Sequence, residues 1–212
     1  MSGCCDGGCS VNALQEKQQR RTLKIVLAIN TMMFFVIAGA AIYSSSTALL
    51  ANSFDNFGDA VTYALSLYAV SRGISTKAKV ALFKGALILL AALIVTGQII
   101  YKLFIPELPI FETMSIFGVL SLLANSICLY LLWRHRHEDV IMTSVWECSR
   151  NDIASDVSII IAAGGVWLLG SGWPDIIVAL ALVVLLYRSA IRVITSARTE
   201  LRKKQSSNPP CS

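Results

Sequence analysis

Residues 48–59 read Ala-Leu-Leu-Ala-Asn-Ser-Phe-Asp-Asn-Phe-Gly-Asp, deep in a run of apolar residues. Asp55 and Asp59 are spaced i, i+4, so a helix stacks their carboxylates on one face, one turn apart. Residues 151–157, Asn-Asp-Ile-Ala-Ser-Asp-Val, repeat that spacing with Asp152 and Asp156. A carboxylate in hydrocarbon costs several kcal/mol unless it is paired or neutralised. Four of them, in two matched pairs, point to a shared cation.

The surroundings make hydrocarbon the relevant solvent. Of the 212 residues 55% are apolar and 15% are charged, whereas a soluble domain carries about a quarter charged residues. Mean hydropathy is +0.65. Six apolar blocks follow one another at Leu23–Tyr43, Ala48–Val70, Val80–Phe104, Ile110–Trp133, Asp152–Leu169 and Pro174–Ile194. Most are near the ~20 residues that span a bilayer as a helix. They are continuous where barrel strands would alternate. The sequence therefore predicts an all-α integral membrane protein, a six-transmembrane-helix bundle, in a bacterial-type inner (plasma) membrane.

Basic residues orient it. Lys17, Arg20, Arg21 and Lys24 precede the first helix, Arg72, Lys77 and Lys79 fill the 2–3 link, and Arg134, Arg136 and Arg150 the 4–5 link. Arg198, Arg202, Lys203 and Lys204 follow the sixth helix. The alternate links, Ser44–Thr47, Ile105–Pro109 and Gly170–Trp173, contain no Lys or Arg. Positive charge inside puts both termini in the cytoplasm. The expected organisation is a cytoplasmic Cys-containing tail (1–22), a six-helix transport domain (23–197) and a short cytoplasmic tail (198–212). No signal peptide is visible, because the first apolar block begins late and is too long for one. The net charge of +5 is spent on topology, so no nucleic-acid partner is expected.

On this topology Asp55 and Asp59 fall at cytoplasmic-to-middle depth in helix 2. Asp152 and Asp156 fall near the cytoplasmic end of helix 5, or deeper if that helix begins near Val145. Crossing the two helices would bring the pairs together. The competing reading is that the aspartates cap helices or face a polar crevice. It suits Asp152, which follows Ser149 and Asn151 at an expected helix start. It suits Asp55 and Asp59 poorly, since their block holds no basic residue.

At these residues the chain resembles the cation diffusion facilitator family of divalent-metal/proton antiporters. The family's helix 2 pattern is Leu-Leu-Ala, three residues, His or Asp, three residues, Asp; Leu49, Leu50, Ala51, Asp55 and Asp59 match it in register. Its helix 5 pattern, His or Asp, three residues, Asp, is matched by Asp152 and Asp156, and Ser-Gly-Trp-Pro-Asp-Ile-Ile-Val-Ala-Leu (171–180) looks like its approach to helix 6. The resemblance covers nearly all of residues 20–198. It implies a homodimer, a tetrahedral metal site on helices 2 and 5, and exchange of cytoplasmic metal for external protons. Protons and metal would compete for the same carboxylates. The chain departs from the family in two ways. All four positions are aspartate, and oxygen-only sites lean toward manganese or ferrous iron where imidazole suits zinc. The family's cytoplasmic C-terminal metal-binding domain is also missing from the pattern.

Other residues qualify this picture. Cys4, Cys5 and Cys9, with Asp6, form a thiol-rich cluster suited to zinc, cobalt, cadmium or copper(I); the alternatives are a reduced tail or an acylation site. Cys148 stands four residues before Asp152 and is either a secondary soft ligand or an apolar filler. Asn52 and Asn56 flank the helix 2 pair and are expected to hydrogen-bond the carboxylates or a neighbouring helix. His135 and His137 fit lipid-headgroup anchoring better than metal binding. Asn30 and Asn125 are expected at packing contacts or along the pathway, and Lys84 and Lys102 to snorkel to opposite faces.

No HExxH, GxSxG or GxxxxGK[ST] pattern occurs, so no enzyme chemistry is expected. Nor is any cofactor beyond the transported divalent ion (Zn, Co, Cd, Mn or Fe) and protons. The function expected is divalent-metal efflux through an all-aspartate site. The alternative is a non-transporting membrane metal sensor or partner protein working through the N-terminal thiols.

Overall fold

In hydrocarbon every backbone N–H and C=O must find a partner within the protein, and a helix satisfies them within one segment. The apolar blocks accordingly form helices. The computed structural model describes the backbone of residues 6–69, 74–133 and 140–206, with side chains for residues 17–67, 82–133, 146 and 149–199. Among these the chain forms α1 (Asp6–Ser44), α2 (Thr47–Ala69), α3 (Ile74–Phe104), α4 (Phe111–Trp133), α5 (Val140–Leu169) and α6 (Trp173–Ser206). Several helices outrun their apolar blocks. Helix-favouring stretches such as Ala13–Arg21 and Thr199–Gln205 carry α1 and α6 beyond the hydrophobic zone.

Among the described residues five helices contain stretches long and apolar enough to cross a membrane: Lys17–Ser44, Leu82–Phe104, Phe111–Trp133, Ser149–Leu169 and Trp173–Thr199. The sequence predicts six. The exception is α2, and composition, not length, sets it apart. Its 23 residues extend roughly 34 Å, but it carries Asn52, Ser53, Asp55, Asn56, Asp59 and Thr62. Packing explains how it tolerates them: α2 touches α1, α3, α5 and α6, which shield it from lipid.

The bundle is built from three extensive pairings, α1 with α2, α3 with α6, and α4 with α5. Its main core joins Met33 and Ile37 of α1, Leu49 of α2, Val95 of α3, Met114 of α4, Ile159 of α5 and Leu182 of α6. Polarity is inverted relative to a soluble protein. Phe35, Ile42, Phe104, Tyr130, Ile161 and Leu168 are exposed, while Asn30, Asn52, Asn56, Asp59, Asn125, Asp156 and Asp175 are buried. Large apolar side chains facing outward suit a lipid solvent, and buried acids and amides mark the interior as functional.

The α1–α2, α3–α4 and α5–α6 turns meet at one end of the bundle. There the Ile110 N–H donates to the Ser44 carbonyl at 3.0 Å. Gly170 closes α5 at a φ of 58°, a conformation glycine adopts without a Cβ penalty. A Cβ on Gly172 would lie 2.8 Å from the Glu107 backbone oxygen, so the two turns can touch only through a glycine. Gly172→Val should cost about 1–3 kcal/mol, read as a lower unfolding midpoint in detergent.

At this same end the structure corrects the expectation for Lys102. It does not snorkel; it is buried, 2% exposed. Its ammonium pairs with Asp175 of α6 at 3.3 Å and also donates to the Ser45 carbonyl. Asp175 in turn accepts from Ser46 Oγ at 2.6 Å, Thr47 N at 2.8 Å and Ala48 N at 3.0 Å. Ser46 Oγ accepts from Leu49 N at 3.1 Å. The orphan N–H groups that open α2 are thus capped by its own Ser46 and by a carboxylate from α6. This fixes the start, and so the register, of the helix that carries Asp55 and Asp59. Lys84 is half-buried and donates to Thr62 Oγ1 of α2, tying α3 to α2 nearer the other end.

Candidate metal centre

Asn52, Asp55, Asn56, Asp59 and Tyr63 recur at helical spacing along α2 and form one polar stripe. On α5, Asp152 lies inside a helix that begins at Val140, three turns before it, so the capping role open to it in the sequence is excluded. On α4 a further stripe holds Ser121, Asn125 and Cys128, all buried.

The stripes face one another. Asp156 is fully buried and held from two helices: Asn52 Nδ2 donates to its Oδ1 at 3.2 Å, and Asn125 Nδ2 to its Oδ2 at 2.8 Å. Asn52 Nδ2 also donates to Ser121 Oγ at 3.0 Å. Asp59 accepts from the buried Tyr63 hydroxyl at 3.3 Å. Asp55 and Asp152 line a crevice of about 530 Å³ beside α6, with Ser155, Arg188 and Arg192 also on its walls. Asp55 is half-buried, whereas Asp59 and Asp152 are buried.

The four aspartates predicted from sequence therefore gather where α2 meets α5. Yet among the described residues no three His, Cys, Asp or Glu side chains converge as a ready-made metal cage. Asp156 instead accepts from Asn52 and Asn125, and Asp59 from Tyr63.

The remaining expectations divide cleanly. Asn52 contacts a site carboxylate, and Asn56 donates to the Asn52 carbonyl of its own helix at 3.0 Å. Asn30 donates to the Val26 carbonyl at 3.0 Å and to Cys128 Sγ at 3.7 Å, a packing role. The side chains of Cys4, Cys5, Cys9, His135, His137 and Cys148 lie outside the described residues. Sequence reasoning missed the roles of Tyr63, Ser121 and Asp175. Tyr63 stands four residues after Asp59, and that spacing alone would have paired them.

Residues 23–201 match the family described as the cation efflux transmembrane domain, whose members are transporters and not enzymes. No curated protein matches the chain significantly.

Proposed function

Because the chain belongs to the cation efflux family, we propose that it exports a divalent transition-metal ion through a site made by Asp55, Asp59, Asp152 and Asp156. The observation that carries this reading is the meeting of two acidic pairs at the α2–α5 contact, with Asp156 fully buried and an open crevice reaching Asp55 and Asp152. Carboxylates removed from water need a compensating cation or proton, and a site that can take either one at a time is an exchanger. Metal arriving from the side of the termini displaces the protons; protons from the opposite, acidic side displace the metal.

In this reading all six helices cross the membrane, both termini are cytoplasmic, and two copies form a homodimer in an inner (plasma) membrane. The oxygen-only donor set favours manganese or ferrous iron over zinc, cobalt and cadmium. Cys4, Cys5, Cys9 and Cys148 are then secondary soft donors that deliver metal to the site.

The test is competition among manganese, iron, cobalt, zinc and cadmium in vesicles under an imposed pH gradient. Manganese or iron should accumulate in acid-loaded vesicles, and accumulation should cease when an ionophore collapses the gradient. Lowering the pH on the metal-loading side should slow uptake, because protons then occupy the carboxylates on the wrong face. Accumulation indifferent to the gradient would refute proton exchange, and no accumulation of any of the five ions would refute transport.

A further inference from the structure

The two ends of the Asn52 amide are used unequally. Its nitrogen makes two hydrogen bonds, to Asp156 Oδ1 at 3.2 Å and Ser121 Oγ at 3.0 Å. Its oxygen makes none, although the residue is 1% exposed. When Asp156 is ionised, the form that binds metal, it only accepts hydrogen bonds, so the amide must turn its N–H₂ group toward it. An amide oxygen kept from water and from any donor is costly. Among the described residues two other buried side-chain atoms share that condition, Thr47 Oγ1 and Trp146 Nε1, but of the three residues only Asn52 is bonded to a site aspartate.

Position supports a purpose. Asn52 precedes Asp55 by three residues and Asp59 by seven, so all three lie on one stripe of α2. Covalent geometry keeps Oδ1 beside the nitrogen that holds Asp156. Asn56 contrasts with it, since its own nitrogen is spent on the Asn52 backbone carbonyl.

We propose that Asn52 is a specificity-determining ligand, its Oδ1 joining the aspartates as a neutral oxygen donor to the transported ion while Nδ2 holds Asp156 in place. This rests on the reading of the aspartates as the transport site. A neutral donor raises the coordination number without adding charge. Manganese accepts octahedral, all-oxygen surroundings, whereas zinc favours four ligands and softer atoms. The extra oxygen therefore selects for a manganese-type ion.

The test is equilibrium binding of manganese(II) and zinc(II) to the full chain in lipid nanodiscs, comparing Asn52→Ala, Asn52→Asp and Asn125→Ala. Asn125→Ala removes the other N–H from Asp156 and should weaken both ions alike, by about 10–100-fold. Asn52→Ala should weaken manganese by about tenfold more than zinc. Asn52→Asp returns an oxygen without an N–H and should restore the manganese-to-zinc ratio. If Asn52→Ala lowers both affinities by one factor, as Asn125→Ala does, the residue only positions Asp156 and the ligand role is overturned. If Asp156→Ala binds both ions as the unaltered chain does, the transport-site reading falls, and the role of Asn52 falls with it.

Discussion

Asp156→Ala and Asp59→Ala should each reduce metal flux in vesicles by at least about a hundredfold. The scale follows from metal sites in general, where losing a group that merely orients a ligand already costs 10–100-fold in affinity or activity. Asp156 is the stronger case. It is fully buried, and Asn52 and Asn125 bond its two oxygens from α2 and α4. Its removal deletes an oxygen donor and releases both amides at once. Asp59 is buried and accepts from Tyr63, so its loss removes a carboxylate donor from the same face of α2 as Asp55. Both variants should still insert and elute as the unaltered chain does, since buried carboxylates are kept for function at a cost in stability. Full flux in both would sink the carboxylate mechanism.

Asp175→Ala should instead destabilise the fold, by about 3–5 kcal/mol, the usual cost of breaking a buried ion pair from one side. The Lys102 and Asp175 side chains are 1% and 0% exposed, so Lys102 would be left charged in a nearly water-free setting. The same substitution strips the N–H groups of Thr47 and Ala48 of their acceptor, and a lost cap alone costs about 1 kcal/mol. Lys102→Met should cost less, because Asp175 keeps its three donors from Ser46, Thr47 and Ala48. The double variant should then be more stable than Asp175→Ala alone. Reversible unfolding in mixed micelles measures all three. A change within about 0.5 kcal/mol for Asp175→Ala, the range of an ordinary surface substitution, would show that this cluster does not hold α2 in place.

The two sets of variants separate two parts of one helix. The N-terminal end of α2 is anchored by Asp175 from α6, and its middle faces α5 through Asn52 and Asp156. An anchored start keeps Asn52, Asp55 and Asp59 aimed at one neighbour, because sliding a helix by one residue turns its side chains by about 100°.

Much of this was legible in the sequence. Block length and continuity predicted helices in a membrane, and the i, i+4 spacing put each aspartate pair on one face. The exceptions are instructive. Hydropathy predicted α2 as an ordinary span, yet its acids and amides make it the helix most in need of protein neighbours. Lys102 looked like a snorkelling residue because its distance from the block end fits that role; nothing local announces a carboxylate 73 residues later.

The sequence by itself determined that the chain is helical, that hydrocarbon surrounds it and that four acids recur in two matched pairs. Hydropathy and helical periodicity are local properties and need no partner to be read. Tertiary structure alone decided which faces meet: Asn125 with Asp156 across 31 residues, Ser46 with Asp175 across 129, and Asn52 with one amide atom satisfied and the other left over. Those pairings depend on how each helix is rotated against its neighbours, and that rotation is set by packing over the whole bundle.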